Sequence, residues 1–155
     1  MIQLCNKISI RKSQVKVFNF LRDFRNIPKW NYYVINVFPL DSKDSATYYH
    51  QVRRNDEQDF EVVETKPDKK IVIRTLPGQS ISFQREFTLG TNQEGHCVIN
   101  DKFDLDTGHP GILQSLFKTK MKNAVKKNLT KLKELLETGS SKLQDGRIAT
   151  HNLNY

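Results

Sequence analysis

Three ionisable residues sit inside strand-like segments, where a side chain that could do chemistry is held away from bulk water: Arg85, Asp101 and Glu64. Arg85 interrupts the stretch ISFQREFTL (81–89), in which Ile81, Phe83, Phe87 and Leu89 take alternate positions. Strict alternation marks a strand with one buried face, so the guanidinium points where the phenyl rings point. A buried cation needs a partner. The segment CVINDKFDLD (97–106) alternates in the same way and offers Asp101 between Ile99 and Phe103. If the chain turns at TNQEG, near residue 93, antiparallel partners have numbers summing to about 186. That register pairs Ile81 with Leu105, Phe83 with Phe103, Arg85 with Asp101 and Phe87 with Ile99. Two readings of the pair stay open: a buried ion pair that fixes the hairpin register, or a polar anchor at the base of a pocket. In an enzyme, Arg85 would stabilise an oxyanion or enolate, and Asp101 or Glu64 would act as general base in a cavity that excludes water.

Other chemistries lack their residues. His50, His96, His109 and His151 are dispersed, with no HxH, HExxH or Cys/His spacing, so no metal is expected. There is no GxGxxG or Walker sequence for a nucleotide and no GxSxG nucleophile, and no cofactor is expected. DLDTGHPG (104–111) combines two carboxylates with His109, but it reads better as a Gly-Pro turn ahead of a helix. Cys5 and Cys97 lack CxxC spacing and both fall in strand-like segments, which predicts buried, reduced thiols and fits a cytoplasmic location.

The elements that must position these residues follow from periodicity. QLCNKISIR (3–11) reads as a strand, and Ser13 as the N-cap of a helix whose stripe is Val17, Phe18, Leu21 and Phe24. Pro28 makes NIPKW (26–30) a second short helical turn. Six strand-like runs follow, at 34–40, 46–54, 58–65, 69–76, 79–89 and 97–106, separated by DSKDS, NDEQ, KPD, PG and TNQEG. Ile112 to Glu137 has no internal Gly or Pro, keeps Leu113, Phe117, Met121, Val125, Leu129, Leu132 and Leu136 near one stripe, and stops at Gly139. The domain is expected to span 1–139, and 140–155 to be a loosely held polar tail.

A single meandering sheet needs a cover for its apolar face, and the last helix is the one element long enough. The sheet must curl around it, and a curved sheet against a straight helix leaves space. That space is expected to be lined by Arg85, Asp101, Glu64, Tyr49, Gln51, Ile73, Phe83, Phe87 and Phe103 from the sheet, with Trp30, Phe117, Met121 and Val125 from the helices. Trp30, the sole tryptophan, reads first as core packing where the short helices seal the sheet and second as a ligand-stacking residue.

The 155 residues suit one domain, and 37% apolar with 27% charged residues is too apolar for disorder. No long apolar run or export signal is visible, so a soluble protein, monomeric or dimeric, is expected. The net charge of +8 invites anionic partners, and much of it lies on the last helix at Lys118, Lys120, Lys122, Lys126, Lys127, Lys131 and Lys133. Aromatic residues do not alternate with these lysines, which argues against specific nucleic-acid binding and leaves transient contact with an anionic membrane open.

The order and spacing of ISIRKSQVKVFNFLRDFRNIPKWNYYV, EVVETKPDKKIVIRTLPG, ISFQREFTL and LKELLETGSSKLQDGR resemble the START-like, helix-grip superfamily (SRPBCC), in particular its polyketide cyclase/dehydrase-like branch. The resemblance spans roughly residues 5–146, and departs from the pattern at LDSKDSA, which lacks a turn glycine, and at Tyr32, where relatives commonly carry proline. It implies an α+β fold, with a curved seven-stranded antiparallel sheet gripping a long C-terminal helix and two short helices between the first two strands. It also implies a cavity for a hydrophobic or amphipathic ligand such as a lipid, polyketide or isoprenoid. It carries over no catalytic residue, and the fold alone does not choose between carrier and enzyme.

Overall fold

The computed structural model describes residues 1–41 and 47–154; apart from Asp41, the loop DSKDS and the strand start expected at 46 lie outside the described residues. The chain runs β1 (Ile2–Ile10), α1 (Gln14–Arg22), a 3-10 helix (Phe24–Lys29), then β2 (Val34–Pro39), β3 (Tyr48–Arg53), β4 (Glu57–Lys66), β5 (Lys70–Thr75), β6 (Ser82–Thr91) and β7 (Cys97–Asp106). A 28-residue helix, α2 (Gly111–Thr138), follows, then a hairpin of β8 (Ser140–Lys142) and β9 (Ile148–Thr150). Seven strands form one antiparallel sheet in the order β1-β7-β6-β5-β4-β3-β2, so the first strand closes beside the last of the meander. Local chemistry sets the boundaries. The Ser13 hydroxyl accepts from the Lys16 amide at the start of α1, and the Asp23 carboxylate accepts from the Arg25 amide at the start of the 3-10 helix. Gly139 ends α2 at φ 84° with its amide donating to Leu135 O.

The β6–β7 register differs from the expected one by two residues. Phe83 faces Leu105, Arg85 faces Phe103, Phe87 faces Asp101 and Leu89 faces Ile99. The cause lies in the loop: β6 runs on to Thr91, and Asn92 closes a five-residue turn through its side-chain oxygen, which accepts from the amides of Glu94 and His96. A shift of two keeps every side chain on its expected face.

The core concentrates at one end of the concave face. Leu129, Leu132, Leu135 and Leu136 of α2 are buried with Ile10, Val17, Phe60, Ile71, Cys97 and Ile99. Towards its N-terminus α2 carries the half-buried Met121 and the exposed Phe117 and Leu113. Tight packing of one half and loose cover of the other leaves room beneath the first turns of the helix.

Two expectations are corrected here. Cys97 is buried but Cys5 is exposed, because alternation along β1 turns Ile2 and Leu4 inward and Cys5 outward. Residues 140–154 are docked rather than loose. Ser141, Leu143 and Ala149 are buried, the Arg147 guanidinium donates to the carbonyls of Pro28, Tyr32 and Val34, and Asp145 pairs with Arg54 and Arg147. The boundary expected at 139 marks the end of α2 and not the end of packed structure. The polar composition of this hairpin hid its few buried side chains.

Candidate functional site

Between the concave face of the sheet and the N-terminal half of α2 lies a cavity of about 460 Å³. That is within the range of small-molecule sites, roughly 300–1,000 Å³. Its wall is largely apolar: Phe83 and Phe87 of β6, Phe103 of β7, Ile73 of β5, Trp30 after the 3-10 helix, and Phe117, Met121 and Val125 of α2. Phe83 and Phe103 stack with ring centroids 5.7 Å apart, and Trp30 meets Phe87 edge-on at 6.4 Å.

Arg85 lies in this wall, held from behind. Its Nε donates to Asp101 Oδ1 at 2.9 Å and its Nη2 to Oδ2 at 2.6 Å. The pair is diagonal across the β6–β7 ladder. Diagonal neighbours are roughly 7–8 Å apart, a span the long arginine side chain reaches without folding back on itself. Three rings surround the guanidinium carbon, with centroids at 4.7 Å for Phe87, 5.0 Å for Phe103 and 5.5 Å for Trp30. The side chains of Arg85 and Asp101 are 8% and 0% exposed. Arg85 borders the cavity whereas Asp101 does not, and Nη1 makes no hydrogen bond among the described residues. The carboxylate is therefore sealed in the sheet, and the guanidinium keeps one edge for the cavity.

Two further polar groups reach the wall. Gln51 Nε2 and Arg53 Nη1 both donate to Gln58 Oε1, at 3.0 and 2.9 Å, and Gln58 Nε2 donates to Ile81 O. This chain ties β3 and β4 to the segment ahead of β6. On the other side, Asn128 Nδ2 of α2 donates to Asn31 Oδ1, which also accepts from the Tyr33 amide, while Asn128 Oδ1 accepts from the Tyr32 amide. The loop after the 3-10 helix is thereby tied to α2. The half-buried Thr107 and the exposed His109 and Lys120 also line the cavity. Among the described wall residues the charged ones are Arg53, Arg85 and Lys120, and no carboxylate joins them.

Of the thirteen residues expected to line the cavity, Arg85, Gln51, Ile73, Phe83, Phe87, Phe103, Trp30, Phe117, Met121 and Val125 do so. Asp101 stands behind Arg85. Tyr49 is on the inner face but packs against Phe60 at 5.4 Å and Phe24 at 5.0 Å; burial and the nearby Asp23 carboxylate push its phenol pKa up. Glu64 is outside altogether. One extra residue in β4, between Val62 and Glu64, shifts the pairing with β5 and turns Glu64 to the outer face. There it meets Lys70 at 3.1 Å and Lys66 at 3.4 Å, and the hydrogen bond from Lys70 holds its carboxyl below the ordinary value. Asn31 and Asn128 escaped the sequence reading, and Lys120 was read as a surface charge only, although Asn128 carried a signal: it is a polar residue seven positions after Met121 and three after Val125, on the stripe that faces the sheet.

A seven-stranded antiparallel sheet, covered on one face by a long C-terminal helix with a cavity between them, decides the architecture. This is the START-like helix-grip fold. A START superfamily protein from Mycobacterium smegmatis superposes with a TM-score of 0.71 at 12% identity, over 88% of this chain and 99% of that one. The di-domain aromatase/cyclase (ARO/CYC) BexL of the BE-7585A biosynthetic pathway matches with a TM-score of 0.66 at 8% identity, over 87% of this chain and 47% of that one. The Aha1 dimer from Colwellia psychrerythraea gives a TM-score of 0.65 at 20% identity, over 90% of this chain and 98% of that one. No family model and no curated protein matches the helix-grip chain in sequence. Among its described residues no helix is long and apolar enough to cross a membrane.

Proposed function

We propose that this helix-grip protein binds an amphipathic small molecule, its apolar body against Trp30, Phe83, Phe87 and Phe103 and its polar or anionic end against the free edge of Arg85. The observation that carries the reading is the composition of the wall: an apolar cavity of about 460 Å³ whose charged groups are all cationic. An apolar wall strengthens a charge-assisted hydrogen bond from Arg85, and the Asp101 carboxylate fixes the guanidinium plane in advance. A lipid, polyketide or isoprenoid acid satisfies both requirements. Native mass spectrometry of the purified protein is expected to reveal a bound species in this mass class; absence of any complex after incubation with a panel of long-chain and polycyclic carboxylic acids would refute the reading.

An aromatase/cyclase role is the second reading, supported by the fold shared with BexL. It requires an acid/base group beside the substrate. With Glu64 outside the cavity and Asp101 committed to Arg85, that group would be His109 in the wall. Cyclisation of a poly-β-keto substrate that disappears in His109→Ala would establish it, and unchanged turnover would discard His109.

A further inference from the structure

Between Asp106 and Glu134 the sequence contains seven lysines and not one acidic residue, so this single segment carries most of the net charge of +8. Lys118, Lys120, Lys122, Lys126 and Lys127 are exposed and form no ion pair among the described residues, unlike Lys131 and Lys133, which pair with Glu134 and Glu137. The same helix begins with apolar side chains in water. Ile112 is 81% exposed and Leu116 72%, and Leu113 and Phe117 are exposed beside them.

Helical spacing puts these two features together. Positions four apart share a face, so Ile112, Leu116 and Lys120 form one row, and Lys127 returns to that row three turns beyond Leu116. From Ile112 to Lys127 the row covers roughly 22 Å. Large apolar side chains left in water mark a contact surface, and an apolar tip continuing into uncompensated lysines matches the boundary of an anionic bilayer, where the tip enters the acyl region and the ammonium groups stay among the headgroups. Phe117 and Lys120 belong both to this surface and to the cavity wall.

We propose that the N-terminal half of α2 is a docking surface for anionic lipid bilayers, with Ile112 and Leu116 entering the interface, Lys120 and Lys127 on the headgroups and the exposed Lys126 at the flank of the row. Docking in this pose brings Phe117 and Lys120 of the cavity wall close to the membrane. The proposal goes beyond ligand binding and is tested separately from it, because vesicle binding is read on the surface and cavity occupancy by mass spectrometry, and either can fail alone.

The test is co-sedimentation of the full chain with phosphatidylcholine vesicles, with and without phosphatidylserine. Binding is expected at low salt with phosphatidylserine present, to fall steeply as salt rises, and to be absent with phosphatidylcholine alone. At roughly fivefold per lysine, Lys126→Gln/Lys127→Gln should weaken it roughly 25-fold. Ile112→Ser/Leu116→Ser should also weaken it while leaving the circular dichroism spectrum unchanged, since both side chains are already in water. No binding to anionic vesicles at low salt would overturn the proposal, as would wild-type binding by Lys126→Gln/Lys127→Gln. Self-association abolished by Ile112→Ser/Leu116→Ser, with vesicle binding intact, would assign the apolar tip to a second copy of the chain and equally overturn it.

Discussion

Separating Arg85 from Asp101 should cost different amounts according to which partner is removed. Asp101 is sealed in the sheet, whereas Arg85 keeps an edge on the cavity and three rings around its cation. Breaking a buried pair costs roughly 3–5 kcal/mol. Asp101→Ala leaves a guanidinium that cavity water and ring faces partly stabilise, which puts it near the low end, about 3 kcal/mol. Arg85→Met leaves a carboxylate with neither, near the high end, about 5 kcal/mol. Replacing both, as Arg85→Met/Asp101→Leu, exchanges the pair for apolar groups of similar volume and should lie within about 1 kcal/mol of the wild type. At a urea dependence of about 2 kcal/mol per molar, the single variants lower the unfolding midpoint by about 1.5 and 2.5 M. A double-mutant cycle from these curves isolates the coupling. Single costs below about 1 kcal/mol, as in exposed pairs, or a double variant as costly as the sum of the two, would refute the buried pair. Reversal of the order would refute the argument from unequal exposure.

Arg147→Ala removes donors to three carbonyls around the loop that carries Trp30; we expect a loss of about 2 kcal/mol and faster amide exchange in residues 29–34. Glu137 is opposed by burial, but the Arg11 amide, the Lys133 ammonium and the Arg11 guanidinium outweigh that and hold its carboxyl below the ordinary 4.5. Its contribution to stability is therefore complete above pH 4.5 and lost as the pH falls through the lower folded-state value, so the acid limb of a stability profile should flatten in Glu137→Gln. Burial pushes the Cys97 thiol up to about 11, so a thiol reagent at neutral pH should label Cys5 at once and Cys97 only on unfolding; immediate labelling of both would contradict the burial.

The fold was legible because its signals are periodic. Alternation in β6 and β7, the Ser13 cap, and the uninterrupted run ending at Gly139 each specify an element by local chemistry. What could not be read depended on single insertions and on distant partners. The Asn92 turn centres one residue later than TNQEG suggests, which slides the hairpin by two and preserved the face of Arg85 but not its direct opposition to Asp101. The extra residue before Glu64 inverted the face of one candidate base, and no composition rule marks such a bulge. Asn31 and Asn128 meet across 97 positions. Arg147 finds its carbonyls more than a hundred residues away, so the C-terminal hairpin looked like a polar tail.

The claim that a cationic edge in an apolar cavity receives an anionic amphiphile is tested most directly by a paired titration. Calorimetric binding of a long-chain carboxylic acid is compared with that of the alcohol of equal chain length, on the wild type and on Arg85→Met/Asp101→Leu. The wild type should bind the acid more tightly by roughly tenfold or more, the value of one charge-assisted hydrogen bond, and the double variant should lose that preference while still binding the alcohol. Equal affinity of the wild type for acid and alcohol, or a preference for the acid that survives in the double variant, would contradict the assignment of Arg85 as the anchor.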